Sequence, residues 1–511
     1  NELIRQVVWF KRDLRCHDHA PLAAAAARGP VLALYVIEPD LWQQPDSSSR
    51  HWQFIRESLI ELSQALGGLG GELVIQIGSL TQVLQQLRLA FGVFELHSHE
   101  ETGNAWTYAR DLQVAGWCST NGIVWREYPS NGVIRRLGNR DRWAGLRNTT
   151  MGKPQVELPI AIAFAPRPDT LPAIPIPEVA DPRFGPSTPR VQRGGRTEAL
   201  KVLASFLDDR SERYMTTISK PGVSARHCSR LSAHIAYGTL SVREIEHALR
   251  RRIDHLEGIG DPSSLRWARQ LQAFGSRLAW RCHFVQKLEQ QPSIETHCMH
   301  PAFEGMREND FRQDWFDAWC AGQTGYPLVD ACMRSLHANG WITFRMRAML
   351  VAFASYHLWL DWRRTAPFMA RLFTDYEPGI HYSQFQMQSG VTGINATRIY
   401  NPVKQSYDHD PEGRFIRRYL PELKDVPEEF IHEPWLMNSP PTGYPSPLVD
   451  HEAAARVAKQ RMTAYRRGED FREQAAEVFR KLGSRTRPNE RRTKKPKVTP
   501  AEPLPQLKLD L

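Results

Sequence analysis

Four short apolar runs constrain this chain more than any other feature: QVVWF (6–10), VLALYVI (31–37), ELVIQIG (72–78) and VFELHSH (93–99). Each is the length of a strand and rich in residues that suit a pleated surface. Between them lie longer amphipathic stretches such as HWQFIRESLIELSQAL (51–66) and LTQVLQQLRLAF (80–91). Strand alternating with helix predicts a doubly wound parallel sheet covered on both faces, over residues 1–130. Sheets of this kind bind ligands beyond the carboxyl ends of their strands. The place of a GxGxxG dinucleotide turn is taken by WFKRDLRCHDHAPL (9–22), so that fingerprint is absent.

Downstream the pattern changes twice. Residues 131–195 contain PIAIAFAPRPDTLPAIPIPEVADPRFGPSTPR, whose prolines interrupt helix and sheet alike. This segment is expected to be an interdomain connection. Residues 196–484 repeat apolar residues at three- and four-residue spacing, as in SVREIEHALRRRIDHLE and FRMRAMLVAFASYHLWLDW. An all-α domain is expected there, and a basic, disordered tail over 485–511.

Composition narrows the partners. The formal charge is +10 over 511 residues, with 15 tryptophans interleaved among basic segments, which makes nucleic acid the first partner to consider. No apolar run is long enough to span a membrane, and no signal-peptide pattern opens the chain. The seven scattered cysteines form no CxxC pair. They fit free thiols in a reducing, cytoplasmic setting, and no metal site is expected, although Cys282, Cys298, Cys320 and Cys332 have the freedom to converge in space.

Three clusters carry possible chemistry. HCSRLSAHIAYGTLS (227–241) puts Ser229, Arg230 and Ser232 at the opening of an apolar helix, where hydroxyls and free N–H groups suit a phosphate or simply cap the helix. WITFRMRAM (341–349) carries Arg345 and Arg347 on different faces of an apolar helix; each either reaches solvent or needs a carboxylate. DYEPGIHYSQFQMQ (375–388) supplies Asp375 and Glu377, either of which answers Arg347, and its Pro-Gly pair predicts a turn.

In order, WFKRDLRCHDHAPL, SRLSAHIAYGTLS, AWRCHFVQ, TGYPLVDACMRSLHANGWITFRMR, RIYNPVKQSYDHDPEGRFIRRYLPEL and YPSPLVDH resemble the photolyase/cryptochrome family, as a divergent member of its bacterial type. The resemblance runs to about residue 456. It implies FAD in the helical domain. Tyr214, Ser229, Arg230, Leu231 and Ser232 match diphosphate and ribityl contacts, and Trp280 and Arg281 match a helix between flavin and DNA pocket. Arg347 with Asp375 matches an ion pair beside the flavin ring, Glu377 the second acid, and His381 the position beside flavin N5, where repair enzymes usually have Asn; a register shift at Pro378–Gly379 would put Tyr382 or Ser383 there instead. A folate or deazaflavin antenna near the α/β domain is a further family possibility, with no motif here to select it.

The same resemblance implies a lyase that repairs UV-induced pyrimidine dimers in DNA, with a signalling photoreceptor that binds a partner protein as the alternative, and a monomer in either case. Arg277, Trp280, Phe344, Arg345 and Met387 fall at substrate positions, and Arg266, Arg269 and Lys287 are candidates for phosphate contacts on the same helix as Arg277. Departures from the family accumulate here. Phe344 and Ala348 replace the residues usual for either known lesion, Arg277 replaces a Glu, and Phe385 replaces the first tryptophan of the electron-transfer chain. Trp362 matches its middle member and Asn309 its surface member, so Trp359, Trp315 or Tyr382 are candidates for another route.

Overall fold

The computed structural model describes residues 2–189 and 192–485; the expected tail beyond Arg485 lies outside the described residues. Five parallel strands, β1 (Gln6–Trp9), β2 (Val31–Ile37), β3 (Leu73–Ile77), β4 (Glu95–His99) and β5 (Val124–Tyr128), pair in the order β3-β2-β1-β4-β5. The order reverses beside β1, which puts the ligand-binding crevice of such a sheet at the carboxyl ends of β1 and β4. Each apolar run divides between two cores. Val8, Val31, Ala33 and Ile37 pack on one face, and Val7, Trp9, Leu32 and Leu34 on the other. Both faces are covered, which is why the strands read as continuous apolar runs. The edge strand β5 is half-exposed, and its sequence VWREY lacks the apolar run that marks the others.

The 131–195 connection is more ordered than its prolines predict. Residues Trp143–Gly152 form a helix, and the chain then crosses back over the sheet. Val31 N–H donates to the Ala163 carbonyl and Ala165 N–H to the Val31 carbonyl, both at 2.8 Å. Ile162, Phe164, Ile174 and Ile176 cover one sheet face, while Ala165 and Leu171 join the core on the other. Beyond that helix it makes a parallel bridge, Phe164 with Val31, and its apolar residues pack on the sheet cores.

The helical part is organised around Pro262–Gln290, which packs against Val242–Ile259 and Pro378–Gln388. Val242–Ile259 starts with a reciprocal capping box between Ser241 and Glu244 and ends at Gly260 in the left-handed conformation. Phe344–Ala352 is shorter than its apolar pattern predicts: it widens into a π-turn over Phe353–His357 and stops, with Trp359 at φ 51°.

Two sequence expectations need correction here. The Pro-Gly pair of DYEPGIHYSQFQMQ makes no turn; it opens the helix Pro378–Gln388, with Pro378 in the first turn, where its missing N–H costs nothing. Gly379 serves packing, because a Cβ there would lie 2.6 Å from Val285 Cα on the long helix. Lys287 does not face solvent: it is 2 % exposed, and burial lowers its pKa to about 7.

All seven cysteines are free, and among the described residues Cys282, Cys298, Cys320 and Cys332 do not gather into a metal-ligating group. The one such group found is Asp13, His19 and His99. There Asp13 Oδ2 accepts from His19 Nε2 and His99 Nδ1 at 2.7 Å each, and Leu22 N–H donates to His19 Nδ1. Hydrogen bonds account for these facing atoms. No helix among the described residues is long and apolar enough to cross a membrane.

Two outcomes follow from this packing. Gly379→Ala forces the two helix backbones apart and lowers stability by about 1–3 kcal/mol; a denaturant midpoint equal to the parent's contradicts the close crossing. Burial lowers the pKa of His51, His97, His99, His234, His357, His381 and His409 to about 4. Their unfolded pKa is about 6.5. The unfolded chain therefore takes up protons first as pH falls. Stability is full above about pH 6.5 and declines progressively toward pH 4, as urea midpoints measured across that range will read.

Candidate functional site: an arginine-rich cavity between helices

A cavity of about 290 Å³ opens between Pro262–Gln290, Phe344–Ala352 and Pro378–Gln388. A larger trough of about 1100 Å³ lies elsewhere, beside the 105–121 helix, where Arg135 is paired with Glu127 and Glu289. The smaller cavity has unmatched charge. Five arginines line it (Arg230, Arg277, Arg281, Arg345, Arg347) against two carboxylates, Asp375 and Glu377.

The two carboxylates are already engaged. Arg347 meets Asp375 in a two-pronged contact, Nη1 to Oδ1 at 3.0 Å and Nη2 to Oδ2 at 2.9 Å. Ser232 Oγ donates to the same carboxylate at 2.6 Å. Burial by itself raises the Asp375 pKa, but Arg347 and Ser232 outweigh it, and the group is held below its ordinary value. Arg347 also sits over the Phe373 ring at 4.2 Å. Glu377 accepts from Arg281 at 3.0 Å and lies 3.9 Å from Arg12, which reaches in from the α/β domain.

That leaves Arg230, Arg277 and Arg345 without a carboxylate at ion-pair distance among the described residues. Arg230 lies over Trp341 at 4.3 Å, and its buried Nε has no partner. Burial lowers its pKa to about 10. Arg277 stacks on Trp280 at 4.5 Å and approaches Phe344 at 6.0 Å. Arg345 donates only to Ser219 Oγ, at 2.9 Å. The buried Nε2 of Gln384 is also unpartnered. Donors thus converge without acceptors in an apolar, aromatic wall. A ligand with a diphosphate and flat ring systems supplies what is missing: acceptor oxygens for the guanidinium forks and faces for the rings. FAD is such a ligand, and these residues fit it.

The cavity gathers most of the residues singled out in the sequence: Tyr214, Ser229, Arg230, Ser232, Arg277, Trp280, Arg281, Phe344, Arg345, Arg347, Asp375, Glu377 and His381. Leu231 is not among them; it is fully buried in the neighbouring core and contributes packing. Met387 also falls outside the lining, because it turns off the helix face that Gln384 and Gln388 present. Trp359 and Trp362 are core residues, and Trp315 packs on that core. Phe385 does line the cavity, with His381 4.6 Å from its ring.

His381 differs from a neutral-range titrating group. Burial lowers its pKa to about 4, and its Nε2–H donates to the Ala366 carbonyl at 2.7 Å. The neutral ring therefore offers Nδ1 as an acceptor only. Sequence reasoning missed Arg12, Asp46 and Tyr376. Arg12 Nη2 donates to the Tyr376 carbonyl, and the Tyr376 hydroxyl to Asp46 Oδ2, both at 2.5 Å. No local pattern signals contacts across more than 300 residues. At the strand ends, a crevice of about 100 Å³ adjoins this junction, with Lys11 and Arg110 held there by Glu38, Glu101 and Asp111.

The sequence matches the family described as the FAD binding domain of DNA photolyase over residues 274–464, and that described as DNA photolyase over residues 6–137. It is 29% identical over 500 residues to a deoxyribodipyrimidine photo-lyase of Vibrio cholerae, covering 88% of this chain and 98% of that protein. It is 27% identical over 514 residues to a cryptochrome DASH of Gloeobacter violaceus, covering 88% and 95%. Among solved structures, an archaeal photolyase from Sulfolobus tokodaii with two FAD molecules superposes with a TM-score of 0.74 at 26% identity, covering 90% of this chain and all of that one. Two matching domains in family order, a shared fold and an arginine-rich cavity within the FAD-binding domain lead to one conclusion: the chain belongs to the photolyase/cryptochrome family.

Proposed function

We propose that this protein is a blue-light-dependent, FAD-binding lyase that repairs UV-induced pyrimidine dimers in DNA. The observation that carries the reading is the cavity itself: a carboxylate-bound Arg347 on its lining, with Trp280 and a carboxylate-free Arg277 stacked together on its wall. When bound, reduced FAD supplies an electron to the dimer after absorbing light.

The protein's own residues do the rest. Arg230 and Ser229 are suited to the diphosphate, and the Arg347–Asp375 pair fixes a guanidinium at the ring pocket. Trp280 offers a face for a base taken out of the duplex, a step costing a few kcal/mol that damage reduces. Arg277 and Arg345 present donors only, so they suit carbonyl or phosphate oxygens. The apolar walls exclude water from the reacting groups.

The division into residues 1–130, a 131–195 connection and a catalytic 196–484 domain belongs to this reading. So does a cytoplasmic monomer: the thiols are free and a single chain supplies the whole cavity wall. A second reading, a cryptochrome-type photoreceptor acting on a partner protein, draws on Phe385 and on His381 as an acceptor-only group beside it.

Chemically reduced protein, illuminated with oligonucleotides bearing each lesion class, is expected to restore one of them. Full flavin reduction with both lesions intact would instead favour the photoreceptor. Arg277→Ala is expected to weaken lesion-strand binding and reduce the slope of log affinity against log salt by about one; an unchanged slope removes Arg277 from the contact set. Asp375→Ala leaves Arg347 without its partner and is expected to cost about 3 kcal/mol, with loss of flavin retention. Because the folded pKa of Asp375 is lowered, this contribution is present above the ordinary carboxylate range and disappears as pH falls below it. Comparing parent and variant stability at pH 7 and pH 3 reads the difference.

A further inference from the structure

The tryptophans expected to carry electrons are poorly placed to lose one. Trp359 lies between two guanidinium groups, Arg307 at 4.4 Å and Arg461 at 4.9 Å. Arg307 is 3 % exposed, its Nη1 and Nη2 have no hydrogen-bond partner, and it has no carboxylate within ion-pair distance among the described residues. A positive charge created on Trp359 would face the buried Arg307 in a poorly screened interior, while Arg461 reaches solvent and lies 3.9 Å from Asp310. Trp315 lies under Arg312 at 4.0 Å, a guanidinium already paired with Asp314. Trp362 is 1 % exposed, and its indole N–H has no acceptor stronger than the Cys298 thiol. An oxidised Trp362 would stay charged in an apolar core.

Tyr376 is placed differently, on the cavity lining itself. Tyr376 lines both the arginine-rich cavity and the strand-end crevice. Its hydroxyl donates to Asp46 Oδ2 at 2.5 Å, and Asn104 Nδ2 holds the same oxygen at 3.0 Å. The Tyr382 hydroxyl is 3.4 Å from that of Tyr376. His381 meets the Tyr376 ring edge-on at 5.1 Å, and His51 stacks on it at 5.5 Å. Removing an electron from a phenol makes its O–H strongly acidic. A carboxylate already on that hydrogen takes the proton, so no net charge accumulates on the ring.

We infer that Tyr376, with Asp46 as its proton acceptor, is the one-electron donor to the flavin pocket in this chain, in place of a tryptophan route. This rests on the FAD-binding, light-dependent reading above. In the step, Tyr376 loses one electron to light-excited oxidised FAD, and its phenolic proton crosses to Asp46 Oδ2, leaving a neutral tyrosyl radical. A thiolate reductant then returns one electron, becoming a thiyl radical, and Asp46 returns the proton. Tyr382, within hydroxyl contact, positions the Tyr376 phenol.

The test is electron paramagnetic resonance of the FAD-loaded protein, frozen under blue light without DNA. A neutral tyrosyl signal that narrows on ring deuteration of tyrosine, is lost in Tyr376→Phe and persists in Trp362→Phe is the expected result. Asp46→Asn keeps the phenol but removes the proton acceptor, and the radical yield is expected to fall about tenfold. A tryptophan radical in the parent, a tyrosyl signal that survives Tyr376→Phe, or an Asp46→Asn yield equal to the parent's overturns the inference. The repair reading is judged separately, by lesion loss with chemically reduced parent protein, which needs no internal donor. Repair without a tyrosyl signal sinks only this inference; a tyrosyl signal without repair sinks only the lyase reading.

Discussion

Three consecutive residues, Asp375, Tyr376 and Glu377, are gripped from both the sheet domain and the helical domain. Asp375 is held by Arg347 and Ser232, Tyr376 by Asp46 and Arg12, and Glu377 by Arg281 and Arg12. Arg12 belongs to the loop after β1, so this tripeptide joins the sheet to the helical domain. Buried charges of this kind are tolerated only when every partner is in place. Removing one partner therefore disturbs the cavity wall and the domain junction together, and their contributions are not expected to add independently.

The same grip explains how the cavity keeps its excess of donors. Asp375 is paired with Arg347 and Glu377 with Arg281, and among the described residues neither forms an ion pair with Arg230, Arg277 or Arg345. The acids set the geometry, and the remaining arginines stay open to a ligand. His381 is tied to the Ala366 carbonyl, so it adds an acceptor without adding charge at neutral pH.

Much of this was legible in the chain, for physical reasons that differ by region. The sheet was readable because β1, β2 and β3 are short apolar runs buried in the cores; β5 was not, because its VWREY is half-exposed and keeps polar residues. The Arg347–Asp375 pair was readable through the family resemblance, because spacing by itself left Arg347 open to solvent or to a carboxylate. Lys287 and Met387 were misjudged because helical spacing does not say which face meets solvent. Pro378–Gly379 read as a turn because the same pair also suits the first turn of a helix, and only the neighbouring Val285 backbone decides. Asp46 and Arg12 gave no signal, since their partners lie far along the chain.

The connection over residues 158–176 has a mechanical meaning as well. Its apolar side chains are built into the cores on both faces of the sheet, and one of those cores also takes in Ala233, Ala236 and Tyr237 of the helical domain. The segment acts as a girdle and not as a hinge. A protease cut within it would leave two halves that remain associated, held by the buried cores and by the three clasps around Tyr376, so continuity of the chain is not what keeps the two domains in register.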